Sequence, residues 1–270
     1  MGTQIAFEGL YNVRDLGGMV GADGRKIKAG LLFRGDRLDP ATDADKRDLV
    51  DRGIRKVIDF RSIAEHEETP DPEIPPIENI FLPIIENVRT GITQGKVGFE
   101  SIGRMLLGGA DISESVVDTH MRNMYRKFVD DSFSNKQSAR FVDEVIASVE
   151  KGEGVYWHCT AGKDRAGFAA VIMLESLGVA RDEVLADYLQ TNECLHGFAE
   201  SMIERLADRL PSDNARKALA RFLSADESYM AAAFDQADKS FGGFDAYLSE
   251  AILIDDSKKR HLQELLLEDK

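Results

Sequence analysis

The sequence predicts an α/β fold, a central and mostly parallel sheet flanked by helices and followed by a helical C-terminal portion. Three observations carry that expectation. Residues 57–60, 80–85 and 155–157 are short, dominantly apolar runs of the kind found in strands buried on both faces. Helical patterns separate these runs, and parallel strands require such crossovers. From residue 181 onward nearly every segment is helical in pattern.

Taken in order, residues 42–52 read as a helix, with Thr42 as N-cap, acids in the first turn and Gly53 as the stop. The strand at 57–60 follows. Four prolines within 69–76 make a turn-rich connection to the apolar stretch 80–85. Glycines 91, 95, 98, 103, 108 and 109 then interrupt any periodic pattern, so residues 86–110 are expected to form a loop or flap. Helices are expected over 113–129 and 138–150. Gly152 and Gly154 break the chain before the strand 155–157. Phe168, Val171, Ile172 and Leu174 recur at helical spacing over 165–177, and Gly178 closes that helix.

A length of 270 residues with 43% hydrophobic and 30% charged residues suits a single domain spanning 1–270. No run approaches the ~20 apolar residues of a membrane span, so no stable membrane insertion is expected. The formal charge of −14 argues against a nucleic-acid partner. Two cysteines cannot build a disulfide framework and no secretory signal opens the chain, which makes the cytoplasm the default compartment, signal-less secretion aside. Oligomeric state is not legible. An acidic protein can still act on anions, provided that cations gather locally.

They gather after residue 157. A strand ends at His158-Cys159 and a helix begins near Arg165, with Thr160, Ala161, Gly162, Lys163 and Asp164 between. Backbone N–H groups of such a loop, backed by a helix N-terminus, converge on an anion. Arg165 adds a planar fork matched to two phosphate oxygens. The reactive form of a cysteine is its thiolate, which helix N-termini and cationic neighbours favour. Cys159 is therefore the expected nucleophile and Arg165 the phosphate ligand, with His158 orienting the cysteine backbone rather than serving as a base.

His-Cys-x-x-Gly-x-x-Arg resembles the signature of the protein tyrosine phosphatase superfamily. With Gly162-Lys163-Asp164-Arg165-Ala166-Gly167, it is similar to the bacterial and fungal branch of atypical tyrosine and lipid phosphatases, which includes secreted mycobacterial and Listeria-type enzymes. Asn12-Val13-Arg14-Asp15-Leu16-Gly17-Gly18, Leu32-Phe33-Arg34, Asp59-Phe60-Arg61-Ser62, Ala186-Asp187-Tyr188-Leu189 and Phe241-Gly242-Gly243-Phe244 extend the likeness over nearly the whole chain. The resemblance implies a metal-free, cofactor-free, two-step reaction through a phosphocysteine, on phosphotyrosine proteins or phosphoinositides. It also implies a helical lid, for which residues 195–240 are the candidate. Lys163 would add charge suited to highly phosphorylated inositol rings.

Other residues leave alternatives open. Arg34 and Arg61 follow apolar runs and could join Arg165 on the carboxyl rim of the sheet, or pair with neighbouring acids, as could Arg14. Arg61 leans towards the substrate. The leaving group needs a proton, and Asp164 and Asp59 are the candidate acids, with Asp164 preferred because it sits in the loop and Asp59 better suited as a structural partner of Arg61. Trp157 stands where a nucleotide-binding loop needs glycine, which excludes that reading. His158, Cys159, Cys194 and His196 match no zinc spacing. Cys194 is expected to return near the loop as a resolving thiol, and residues 65–68 read as a solvated helix face. Ala166 takes the place of a hydroxyl that would assist phosphocysteine cleavage, which leaves a catalytically weak phosphate-binding module as the alternative function.

Overall fold

The computed structural model describes residues 1–85, 105–106 and 110–269. The expected flap over 86–110 lies almost wholly outside them. The described strands are β1 (Thr3–Gln4), β2 (Arg14–Asp15), β3 (Leu32–Gly35), β4 (Ile54–Asp59), β5 (Glu78–Phe81) and β6 (Gly154–His158). They form one sheet in the order β1-β2-β3-β6-β4-β5, in which β3, β6, β4 and β5 run parallel and β1 and β2 are antiparallel additions. The described helices are α1 (Asp43–Asp51), α2 (Ile63–Glu68), α3 (Glu114–Asp130), α4 (Ser132–Val149), α5 (Arg165–Ser176), α6 (Arg181–Cys194), α7 (His196–Arg205), α8 (Asp213–Leu223), α9 (Glu227–Phe241), α10 (Phe244–Glu250) and α11 (Asp256–Leu266). None is long and apolar enough to cross a membrane.

Side chains of the parallel strands alternate between two cores, as the pleat requires. Phe33, Val57 and Tyr156 join Leu49 of α1 on one face. Leu32, Ile58, Val155 and Trp157 join α3, α4, α5 and the C-terminal helices on the other. Central β6 is buried throughout, which explains a run with no polar alternation. Its register sets His158 between Gly35 of β3 and Asp59 of β4, so the carboxyl ends of three strands meet at one edge.

Boundaries move for physical reasons. β4 starts at Ile54 rather than 57, and β5 spans Glu78–Phe81 rather than 80–85 because parallel pairing aligns Lys56 with Glu78 and Asp59 with Phe81. α4 begins six residues before the expected 138, because Asp131 caps it by accepting from Phe133 N. The lid expectation over 195–240 also divides. α9 buries Tyr229, Met230, Ala232, Ala233, Phe234 and Ala237 and is a core helix, whereas α7 buries none of its residues. An amphipathic pattern is the same whether its apolar face meets a core or closes over a site.

Candidate active site

The loop from Cys159 to Asp164 is held from outside through its carbonyls. His158 Nδ1 lies 3.1 Å from the Cys159 carbonyl, and Arg37 N donates to Thr160 O at 3.3 Å. Asn12 Nδ2 donates to Ala161 O at 2.9 Å, and Arg34 Nη2 to Gly162 O at 2.8 Å. Four successive carbonyls are thus drawn outward, which turns the intervening amides toward the opposite, concave side, an anion-binding arrangement. Gly162 makes the turn at φ +67°, and a Cβ there would collide with the Gly35 carbonyl. Cys159 is buried at the base. Ala166 is buried in the first turn of α5, where its carbonyl accepts from Trp157 Nε1 at 3.1 Å.

Each tie has its own anchor. His158 is fully buried, and its Nε2 lies 2.8 Å from Asp71. Burial disfavours its charge, but Asp71 outweighs burial and raises the imidazole above its ordinary value. With both ring nitrogens facing oxygens, the imidazolium pattern fits. Arg34 Nη1 is held by Asp187 at 2.7 Å, and Arg14 reaches Asp187 O at 2.6 Å and Thr191 at 3.0 Å. Arg14 Nη1 also lies 3.9 Å from Asp187 Oδ1, so two buried guanidiniums face one carboxylate beneath the loop. Burial and the charge of Arg34 lower Arg14 to about 10. Arg14 and Arg34 act as struts behind the loop.

Arg165 is 3% exposed and meets a residue expected to be solvated. Glu65 receives Nη1 at 2.6 Å and Nη2 at 2.9 Å, and it also accepts the Thr160 hydroxyl. Its Oε2 accepts from Ser62 N at 2.8 Å, so the capping box of α2 presents this carboxylate to the loop. Burial raises the Glu65 carboxyl, but Arg165 outweighs burial and holds it well below the usual glutamate range. The reading of 65–68 as a solvated face is corrected at Glu65. Its signal was the Ser62-x-x-Glu65 spacing.

Arg61, expected to lean towards the substrate, is instead held by Asp59, the structural partnership expected of that aspartate. Arg61 Nε and Nη2 donate to Asp59 at 2.9 Å each, Nη2 to Asp71 at 2.9 Å and Nη1 to Thr69 O at 2.7 Å. Burial raises Asp59, but His158 and Arg61 outweigh it and hold its carboxyl down at about 2. Asp59, Asp71 and His158 lie close enough to ligate a cation, and the Arg61 guanidinium already bridges the two carboxylates there.

Lys163 points away from solvent. Its ammonium donates to the Phe222 and Ser224 carbonyls at 2.5 and 3.1 Å, where α8 ends. Asp164 caps α5 without a side-chain bond to its amides, and its Oδ1 accepts the Tyr125 hydroxyl at 2.8 Å. Cys194 ends α6 half-buried. Burial pushes its thiol up against the opposing charges of Arg14 and Arg34, which weakens it as a resolving nucleophile.

Comparison with known proteins gives the family. The model of the tyrosine phosphatase family matches residues 5–268. A protein of Cupriavidus necator, provisionally named a tyrosine-protein phosphatase, is 30% identical over 256 residues, covering 95% of this chain and 86% of its own. The triple specificity protein phosphatase PtpB of Mycobacterium tuberculosis is 27% identical over 261 residues, covering 90% of this chain and 92% of its own. A tyrosine-protein phosphatase of Nostoc commune is 25% identical over 179 residues, or 66% of this chain and 54% of its own. With nearly its whole length matched and the Cys159-to-Arg165 loop in place, the chain belongs to the tyrosine phosphatase family.

Proposed function

We propose that the protein hydrolyses phosphate monoesters of phosphotyrosine and of phosphoinositides by attack of Cys159. One observation carries the reading: the carbonyls of residues 159–162 are all tied outward around a buried cysteine, with Arg165 held at the opposite end of the loop. In the first step Cys159 Sγ forms a bond to phosphorus, the P–O bond breaks, and Asp164 gives its proton to the departing oxygen. In the second, water attacks the phosphocysteine, Asp164 takes its proton, and the P–S bond breaks to return the thiolate. His158, Thr160, Ala161, Gly162, Lys163 and Ala166 complete the substrate loop. Glu65 holds the Arg165 fork in orientation. Any lid falls to α7, which buries none of its residues.

A relative named for triple specificity is similar to this chain over most of its length. Against use of Lys163 by a second phosphate stands its engagement by α8, which would first have to be released. A panel of phosphotyrosine peptides, phosphoserine peptides and mono- to tris-phosphorylated inositides, with Cys159→Ser as control, tests the reading. Turnover of nitrophenyl phosphate should persist in EDTA and vanish in Cys159→Ser, which should still bind substrate. Loss in EDTA with rescue by zinc or magnesium, or a nearly normal Cys159→Ser enzyme, would exclude the cysteine mechanism.

A further inference from the structure

Asp164 ends a chain of buried hydroxyls that the proposed reaction does not itself require. The Tyr125 hydroxyl, from α3, donates to Asp164 Oδ1 at 2.8 Å. The Tyr188 hydroxyl, from α6, lies 2.7 Å from that of Tyr125, and both side chains are fully buried. A buried hydroxyl has one proton to give. Tyr125 spends its own on Asp164, so its oxygen is left to accept from Tyr188. Both hydroxyls therefore point along one direction, Tyr188 to Tyr125 to Asp164, and bonds so aligned reinforce one another.

We propose that Tyr125, backed by Tyr188, is a positioning residue for the acid: it occupies Oδ1, fixes the rotation of the carboxyl and confines the transferable proton to Oδ2. The inference rests on Asp164 serving as the general acid. When the P–O bond breaks and the Oδ2 proton passes to the leaving oxygen, the carboxylate so formed keeps the Tyr125 bond. It also has the Lys163 ammonium 3.7 Å from Oδ2. Burial raises both phenols well above their ordinary value, so neither competes as the proton source. Without the Tyr125 hydroxyl the proton can reside on either oxygen and the carboxyl can turn, so fewer encounters present an aligned acid.

Leaving groups that most need the proton report on this alignment. Steady-state kinetics over aryl phosphates, from nitrophenyl to unactivated phenyl, should be compared for wild type, Tyr125→Phe, Asp164→Asn and the double variant. A control is Tyr229→Phe, whose ring centroid lies 6.0 Å from that of Tyr125 but whose hydroxyl donates to Asp118 at 2.7 Å. Tyr125→Phe should lower kcat/KM, which reports the first step even where phosphocysteine cleavage limits kcat, about tenfold on phenyl phosphate and less than about threefold on nitrophenyl phosphate. It should add nothing in the Asp164→Asn background, and Tyr229→Phe should show no dependence on the leaving group. Tyr188→Phe, which keeps the Tyr125–Asp164 bond, should steepen the dependence about twofold and serves if Tyr125→Phe folds poorly. Leaving-group dependence in Asp164→Asn with equal losses across the series in both tyrosine variants would overturn the inference alone. Equal losses in Asp164→Asn itself would remove the acid on which it rests.

Discussion

Replacing Glu65 by glutamine keeps the side chain's size and one acceptor oxygen but removes the charge facing Arg165. The amide's NH2 must then meet a donor, since one oxygen faces Arg165 and Ser62 N and the other faces Arg165 and Thr160. The Arg165 side chain is 2% exposed and that of Glu65 22%, so little water can compensate. Removing one partner of a buried pair costs about 3–5 kcal/mol, and the partial exposure of Glu65 sets the expectation near ~3 kcal/mol. For a chain of this size that lowers Tm by roughly 6–12 °C. A misaligned fork should also lower kcat/KM on nitrophenyl phosphate by about 10- to 100-fold. The pH dependence has a definite sign. Glu65 is depressed from 4.5 in the folded protein, so its contribution is fully present above pH 4.5 and is lost as pH falls toward the folded value. Urea unfolding at pH 7, 4 and 3 should show the gap between wild type and Glu65→Gln narrowing with acid. A variant with wild-type Tm, unchanged kcat/KM and a gap independent of pH would refute the claim that this pair orients Arg165.

Two further substitutions separate roles within the loop. Ala166 offers no hydroxyl to the departing sulfur, so rapid mixing with an activated aryl phosphate should give a burst near one equivalent and a slow linear phase. Ala166→Ser should speed that linear phase by roughly five- to a hundredfold and leave the burst alone; no burst, and no gain in the variant, would mean that the first step limits turnover. Lys163→Met keeps the stem but removes the ammonium's two hydrogen bonds to the Phe222 and Ser224 carbonyls, worth about 1.5–3 kcal/mol each for a charged donor. Hydrogen exchange should then quicken over residues 220–226, and unchanged exchange would show that Lys163 does not fasten α8 to the loop.

The strand, turn and helix start of residues 158–165 were legible in the sequence because they are local. A strand, a turn that needs Gly162 and a helix N-terminus occupy one continuous stretch, and Cys159 and Arg165 lie at its two ends. Strand pattern and helix pattern sufficed for the parallel sheet around β4 and β6 for the same reason. What holds the loop was not legible. Arg165 meets Glu65 at a separation of 100 residues, Gly162 meets Arg34 at 128, and Ala161 meets Asn12 at 149. Such pairings follow from sheet register and helix docking, which leave no periodic trace. Arg61 shows the limit most clearly. Its place after an apolar run is the same for a substrate ligand and a structural strut, and only the return of the proline-rich connection, bringing the Thr69 carbonyl and Asp71 to its guanidinium, decided between them. In α9 an amphipathic pattern suited a lid as well as a core, and docking against α3 chose the core, because its apolar face is wide enough to be buried by a neighbour already in place.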